Sequence, residues 1–162
     1  MRHAKSDWSH PSQPDFERSL NPRGKQDALS MGKWMAGSTH QPEKLFSSPA
    51  NRARQTAASL AQVLSNSAEI IVWQDLYPGS VEFTLENIRG LPEQLQHILI
   101  VGHNPIMEEL GSTLAAGGNL QIRMPTAALV MLACDIVSWR EASPKMGKLR
   151  GLITPKMLRP GD

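Results

Sequence analysis

One cysteine in 162 residues leaves no possibility of an intramolecular disulfide. Cys134 lies in the apolar run Ala127 to Cys134, so a buried, inert thiol and a reducing, cytoplasmic setting are expected. Long hydrophobic runs are missing as well. Neither Ile98 to Val101 nor Ala127 to Cys134 approaches the roughly 20 residues that cross a bilayer, and no apolar signal region follows Met1. Membrane spanning and secretion are therefore not expected. With 20% charged residues, 12 glycines and 12 prolines, the chain lacks the composition of disordered, collagenous or low-complexity protein. No repeat and no Gly, Ser or Pro linker divides it, and its length allows a sizeable core, so residues 1–162 read as one domain. Metal-ligand spacing is also absent. His10 and His40 lie in polar, loop-like sequence and His97 precedes a strand, so neither a metal nor another cofactor is expected.

Net charge is only +2, but residues 1–54 carry nine Lys/Arg against five Asp/Glu. That excess suits an anionic ligand such as phosphate and is too scattered for a nucleic-acid footprint. Along the chain the pattern alternates. Asn21-Pro22 supplies an N-cap and a first-turn proline, and Ala28, Met31 and Met35 recur at helical spacing up to Gly37. Lys44-Leu45-Phe46 predicts a short strand, Ser48-Pro49 the start of a second helix, and Ile70 to Trp73 a buried strand. Val81 to Gln96 predicts one or two short helices broken at Gly90-Leu91-Pro92. Ile98 to Val101 has no polar alternation and reads as a strand covered on both faces. Asn104 and Pro105 then read as N-cap and first residue of another helix, and Leu129 to Leu132 and Leu149 to Ile153 as the last strands. The alternation predicts an α/β fold, a three-layer αβα sandwich around a mostly parallel sheet. His103 falls just beyond a strand end, where ligands bind in such sheets.

Three segments concentrate groups that bind or attack phosphate: Arg2-His3-Ala4-Lys5-Ser6, Ser47 to Ala57 around Arg52, and Val101-Gly102-His103-Asn104-Pro105. Arginine pairs with two phosphoryl oxygens at once, and imidazole is a good nucleophile toward phosphorus near neutrality.

These segments resemble the signatures of the histidine phosphatase superfamily, which has the phosphoglycerate mutase-like fold. Arg2-His3 is similar to its opening motif, Arg52 to the arginine of Ser-Pro-x-x-Arg-Ala-x-x-Thr-Ala, and His103 to the second histidine in Gly-His-Asn-Pro. The Arg-His-Ala-Lys-Ser start, the segment Asp15 to Asn21, and Met124-Pro125-Thr126-Ala127-Ala128 resemble the short SixA-type phosphohistidine phosphatases. The resemblance implies that His3 takes the phosphoryl group as a covalent phosphohistidine, with Arg2, Arg52 and a protonated His103 holding its oxygens. It places Arg18, Lys5 and Asn104 among the substrate contacts, and leaves Arg54 as a surface charge and Gln55 and Thr56 as helix-packing groups.

Larger members that cleave phosphate esters use an acid to protonate the leaving oxygen, and neither Asp75 nor Glu82 aligns with it. This favours P–N over P–O cleavage. The short stretch from Tyr77 to Ile98 implies an open cleft that a protein-borne phosphohistidine can reach. Family members also carry further residues before Arg-His that form a central strand. That strand is expected to be missing or truncated here, leaving His3 on a frayed terminus, with a misplaced start as the explanation. The implied protein is a monomeric, cytoplasmic signal-transduction enzyme acting on a phosphorylated histidine-containing phosphotransfer protein, with no nucleic-acid or membrane partner. A phosphatase of small phosphate esters and an inactive phosphoprotein-binding module are the alternatives.

Overall fold

The computed structural model describes residues 1–64 and 68–159. Nine principal elements follow one another: α1 (Pro22–Ala36), β1 (Lys44–Ser47), α2 (Asn51–Ala61), β2 (Glu69–Val72), α3 (Val81–Arg89), β3 (Ile98–Val101), α4 (Ile106–Ala116), β4 (Leu129–Cys134) and β5 (Gly147–Ile153). Short 3-10 turns lie at Asp15–Glu17, Gln74–Leu76, Trp139–Glu141 and Pro155–Leu158. β2, β1 and β3 form a parallel sheet in that order, with β1 in the middle and Leu45 level with Ile70 and Leu99. β4 and β5 pair antiparallel.

Residues 1–3 occupy the slot between β3 and β4. Gly102 N donates to Met1 O at 3.1 Å and His3 N to Gly102 O at 2.9 Å, a parallel pairing that extends β3, while Arg2 N donates to Ala128 O at 3.0 Å. Residues 1–3 thus supply a short strand-like segment beside β3. His3 is not frayed: it is 8% exposed and hydrogen-bonded through its backbone on both sides, because Ala127 N also donates to His3 O.

Period-two alternation splits the strands between two cores. Leu45, Leu99 and Val101 face Ala28, Met31 and Met35 of α1 and Ala53, Ala57 and Leu60 of α2. On the other face, Ile100, Val130 and Leu132 pack against Val81 and Leu85 of α3 and Met107, Leu110 and Leu114 of α4. Helices therefore cover both faces, the three-layer α/β arrangement. Burying a side chain such as Leu45 completely contributes about 1.5–3 kcal/mol.

α1 begins as its sequence predicts, with Asn21 Oδ1 accepting from Gly24 N at 2.8 Å and Pro22 in the first turn. Three local readings need correction. β2 is not buried: it is the outer strand, with β1 as its only partner among the described residues, and Ile70 and Val72 are 37% and 39% exposed. Its rim carries the Lys44–Glu69 ion pair at 2.9 Å, a charged edge of the kind that discourages further pairing. α2 starts at Asn51 rather than at Ser48-Pro49, with Ala50 at its N-cap. Asn104 does not cap α4, whose N-cap is Pro105; the Asn104 side chain is engaged by another segment. Cys134 is half-buried, and burial pushes its thiol pKa up. Among the described residues no helix is long and apolar enough to cross a membrane.

Candidate active site

His3 stands at the end of the strand-like segment 1–3, beside the carboxyl ends of β1 and β3. Its Nδ1 lies 2.7 Å from Ala4 O. A carbonyl oxygen only accepts, so Nδ1 carries the proton and the lone pair is left on Nε2. Arg52 Nε donates to that Nε2 at 3.2 Å. The backbone around His3 is held by Thr56, whose Oγ1 accepts from Ala4 N at 3.0 Å and donates to Arg52 O at 2.7 Å. Thr56 therefore connects the nucleophile's segment to the arginine's helix, beyond the packing role expected of it.

Arg52 is 7% exposed in the first turn of α2. Its Nη1 donates to Asp15 O at 2.6 Å and its Nη2 to Asp15 Oδ2 at 2.9 Å. Tyr77 Oη donates to the same Oδ2 at 3.0 Å, and the Tyr77 ring stands edge-on to His103 at 5.3 Å and to Phe16 at 5.4 Å. The segment around Asp15 and Phe16 thus meets Tyr77 beside the histidines.

His103 follows β3, its ring centroid 4.9 Å from that of His3. Its Nε2 is 2.8 Å from Ser48 Oγ, which also accepts from Ala50 N at 3.3 Å. Donating the hydroxyl proton to Nε2 completes the bonding of Ser48, so we assign the His103 proton to Nδ1. Across the site, Met124 O accepts from both Arg2 Nη1 at 2.9 Å and Asn104 Nδ2 at 3.0 Å. Glu108 Oε1 accepts from Met124 N at 2.6 Å and fixes that carbonyl. The turn after it carries Ala127 at φ 60°, a left-handed conformation costly for a residue with a Cβ and held here by the bond to His3 O. A cavity of about 440 Å³ opens at this side, lined by Arg2, Asn104, Glu108, Arg123, Met124 and Pro125.

Burial pushes the His3 pKa down to about 4; the Ala4 hydrogen bond opposes this, and the charges of Arg52 and Arg2 add to it. Burial, with His3 and Arg52 next, pushes His103 down to about 3. Both rings are neutral at pH 7. In the ligand-free site, where cations crowd a desolvated ring, His103 is therefore neutral and still offers Nδ1–H. Partial burial works to raise the Asp15 carboxyl, yet the Tyr77 hydrogen bond and the charges of Arg52 and Arg18 outweigh it and hold it below the usual carboxylate range.

Among the described residues, the buried side-chain polar atoms without a hydrogen-bond partner are Arg2 Nε, Arg18 Nε and Nη1, His103 Nδ1 and Asn104 Oδ1, although Arg18 Nη1 forms an ion pair with Asp15. Four of the five are nitrogens with protons to donate. A buried donor left unpaired costs about 1–3 kcal/mol, so the donors of Arg2 and His103 are suited to an oxyanion. Arg18 also stacks over Trp8 at 3.5 Å. Lys5, by contrast, is exposed and is tied in through its carbonyl, which accepts from Asn21 N. Arg54, Asp75 and Glu82 are exposed. Sequence reasoning missed Asp15, Ser48 and Tyr77 as site residues. Asp15 stood in a segment already singled out, but only its neighbour Arg18 was given a role.

A family model described as the histidine phosphatase superfamily (branch 1) matches residues 1–97, more than half of the chain. The chain belongs to that superfamily. Among solved structures, this histidine phosphatase is similar to a candidate phosphohistidine phosphatase SixA from Nakamurella multipartitia, with 25% identity, TM-score 0.82 and coverage of 96% of this chain and 93% of that one. It is also similar to the corresponding SixA candidate from Agrobacterium tumefaciens, with 27% identity, TM-score 0.78 and coverage of 95% and 94%. An uncharacterized chloroplastic protein of Arabidopsis thaliana is 29% identical over 96% of this chain and 76% of its own length. These likenesses make the chain a SixA-type member of the superfamily, and its class is that of phosphatases, a group of hydrolases.

Proposed function

We propose that this phosphatase removes phosphate from a phosphohistidine on a protein, through a covalent phosphohistidine at His3. The observation that carries the reading is the preparation of His3: Nδ1 is committed to Ala4 O, Nε2 is unprotonated, and donors of Arg2 and His103 without a hydrogen-bond partner are buried close by, the Arg2 charge acting on both rings. In the first step His3 Nε2 attacks phosphorus in line and the substrate's P–N bond breaks, its imidazole leaving and taking a proton from solvent. Water then attacks the phosphorus, the bond to Nε2 breaks, and inorganic phosphate leaves. Arg52, Arg2 and His103 Nδ1–H stabilise the charge on the equatorial oxygens. Asn104 and Arg18 add contacts at the rim. A SixA protein of the same fold, 22% identical, is described in complex with tungstate, an oxyanion comparable in shape to phosphate.

The leaving group is inferred from the acids. An alkoxide, with a conjugate-acid pKa of about 15, needs a proton donor, whereas imidazole, at about 6.5, needs little help. Asp75 and Glu82 are surface carboxylates; of the acids that reach the site, Asp15 is held ionised and Glu108 is engaged by Met124 N. We further propose that residues 1–162 act as one monomeric domain in the cytoplasm, on a histidine-containing phosphotransfer protein.

The test is dephosphorylation of a phosphohistidine-bearing phosphotransfer domain by the wild type and by His3→Ala. Turnover lost in the variant, with phosphate trapped on wild-type protein in acid-labile form, is the expected result. Turnover of aryl phosphates alone would replace the substrate with small esters, and binding without turnover in both proteins would replace the enzyme with a binding module.

A further inference from the structure

We propose that Asp15 is a positioning residue: it grips the outer fork of Arg52, so that the Nε edge of the guanidinium faces His3 Nε2 and the phosphoryl group. The inference rests on the reading of His3 as nucleophile. Arg52 has two edges that can each make paired hydrogen bonds. The end-on edge, Nη1 and Nη2, is occupied by Asp15 through its main-chain oxygen at 2.6 Å and its carboxylate at 2.9 Å. The side-on edge is the one that meets His3, with Nε 3.2 Å from Nε2. A phosphoryl group arriving at Nε2 therefore meets a guanidinium whose orientation is already set, and no reorientation is needed during the reaction.

The carboxylate is itself held from three sides. Tyr77 Oη donates to Oδ2 at 3.0 Å, Arg52 Nη2 to the same oxygen at 2.9 Å, and Arg18 Nη1 lies 3.6 Å from Oδ1. Three segments distant in sequence meet at one side chain. An ordinary surface ion pair, worth about 0–1 kcal/mol, would not look like this: the Arg52 side chain is 9% exposed although that of Asp15 is 47% exposed. Two other roles conflict with the surroundings. A general acid must hold a proton, and Asp15 is kept ionised; a direct contact to phosphate would set two anions together.

The experiment compares Asp15→Ala, Asp15→Asn, Arg52→Ala and Asp15→Ala/Arg52→Ala in the full chain. It measures tungstate affinity, kcat and KM on the phosphohistidine substrate and on aryl phosphates of graded leaving-group pKa, together with Tm. Asp15→Ala should weaken tungstate binding about 10-fold and lower kcat about 10- to 100-fold, by one factor across all leaving groups, while Asp15→Asn recovers most of the loss. In the Arg52→Ala background, Asp15→Ala should change tungstate affinity by less than about 2-fold. Removing a negative charge alone would tighten oxyanion binding, so tighter binding in Asp15→Ala overturns the proposal. So does an effect that grows with leaving-group pKa, which marks an acid, or an equal loss with and without Arg52. Tungstate binding is read without turnover, so a wild type inactive on phosphohistidine would refute the proposed function while Asp15 is still tested.

Discussion

At the carboxyl ends of β1 and β3 the chain is tied by hydrogen bonds between segments far apart in sequence, whereas the other end of the slot between β3 and β4 is an apolar groove of about 940 Å³. Met1, Ile98, Ile100, Met131 and Leu132 are among its lining residues. The two regions border the same strands. In the first, His3, Arg52 and His103 are each oriented by a partner from another segment or from the backbone. In the second, most lining side chains are apolar, and the directional contacts lie at its margin, where Ser138 Oγ donates to Glu93 at 2.7 Å and Trp139 Nε1 to Leu95 O at 2.7 Å, and at Met1, whose ammonium nitrogen donates to Ile100 O at 2.7 Å. Burial alone pushes that ammonium down to about 5. Directional bonds set the placement of reacting groups, while non-directional apolar contact sets the stability of the frame.

If this division holds, the largest effect belongs to His3→Ala. Turnover should fall by about 10³-fold or more, with Tm within a few degrees of wild type, as read by substrate kinetics beside thermal melts. Next comes the frame: Leu45→Ala, at a fully buried position on the middle strand, should cost about 2–5 kcal/mol in denaturant unfolding. Its kcat per folded molecule should not change; a proportionate loss would show that frame and site are not separable.

A third expectation concerns pH. His3 and His103 have folded pKa values near 4 and 3, below the unfolded value of about 6.5. The unfolded chain then binds more protons as pH falls below about 6.5, so ligand-free stability is full above that pH and declines by a few kcal/mol toward pH 4. Denaturant titrations across that range test it, and kcat/KM should keep its acid limb near 4. A limb near 6.5 would mean that His3 is solvated. The smallest effect lies at the groove. Leu132→Ala should cost about 1 kcal/mol, well below Leu45→Ala, because Leu132 already borders open volume. Equal costs would mean that the groove is packed in solution.

Much of the site was legible because its chemistry lies in short, local motifs. Arg2-His3, Arg52 and Gly102-His103-Asn104 each sit where a strand end or a first helical turn places them, and the apolar run Ile98 to Val101 announces the strand that carries His103. What escaped depends on distance. Arg52 meets Asp15 across 37 residues, Ser48 meets His103 across 55, and Tyr77 meets Asp15 across 62. No periodicity encodes such pairs. The outer place of Ile70 to Trp73 is not legible, because apolar composition does not distinguish a middle strand from an outer one, a matter of sheet order. The residue type of Asn104 suits a cap, yet its amide donates instead to Met124 O, 20 residues away.

By itself the sequence determined which residues carry phosphate chemistry and which runs become strands and helices, since residue type and short-range spacing decide both. Only the tertiary structure decided the proton on His3 Nδ1, the neutral state of His103 and the aim of Arg52. Those follow from which groups burial brings within hydrogen-bond reach and from the water it removes around them, and neither is a property of any local stretch of chain.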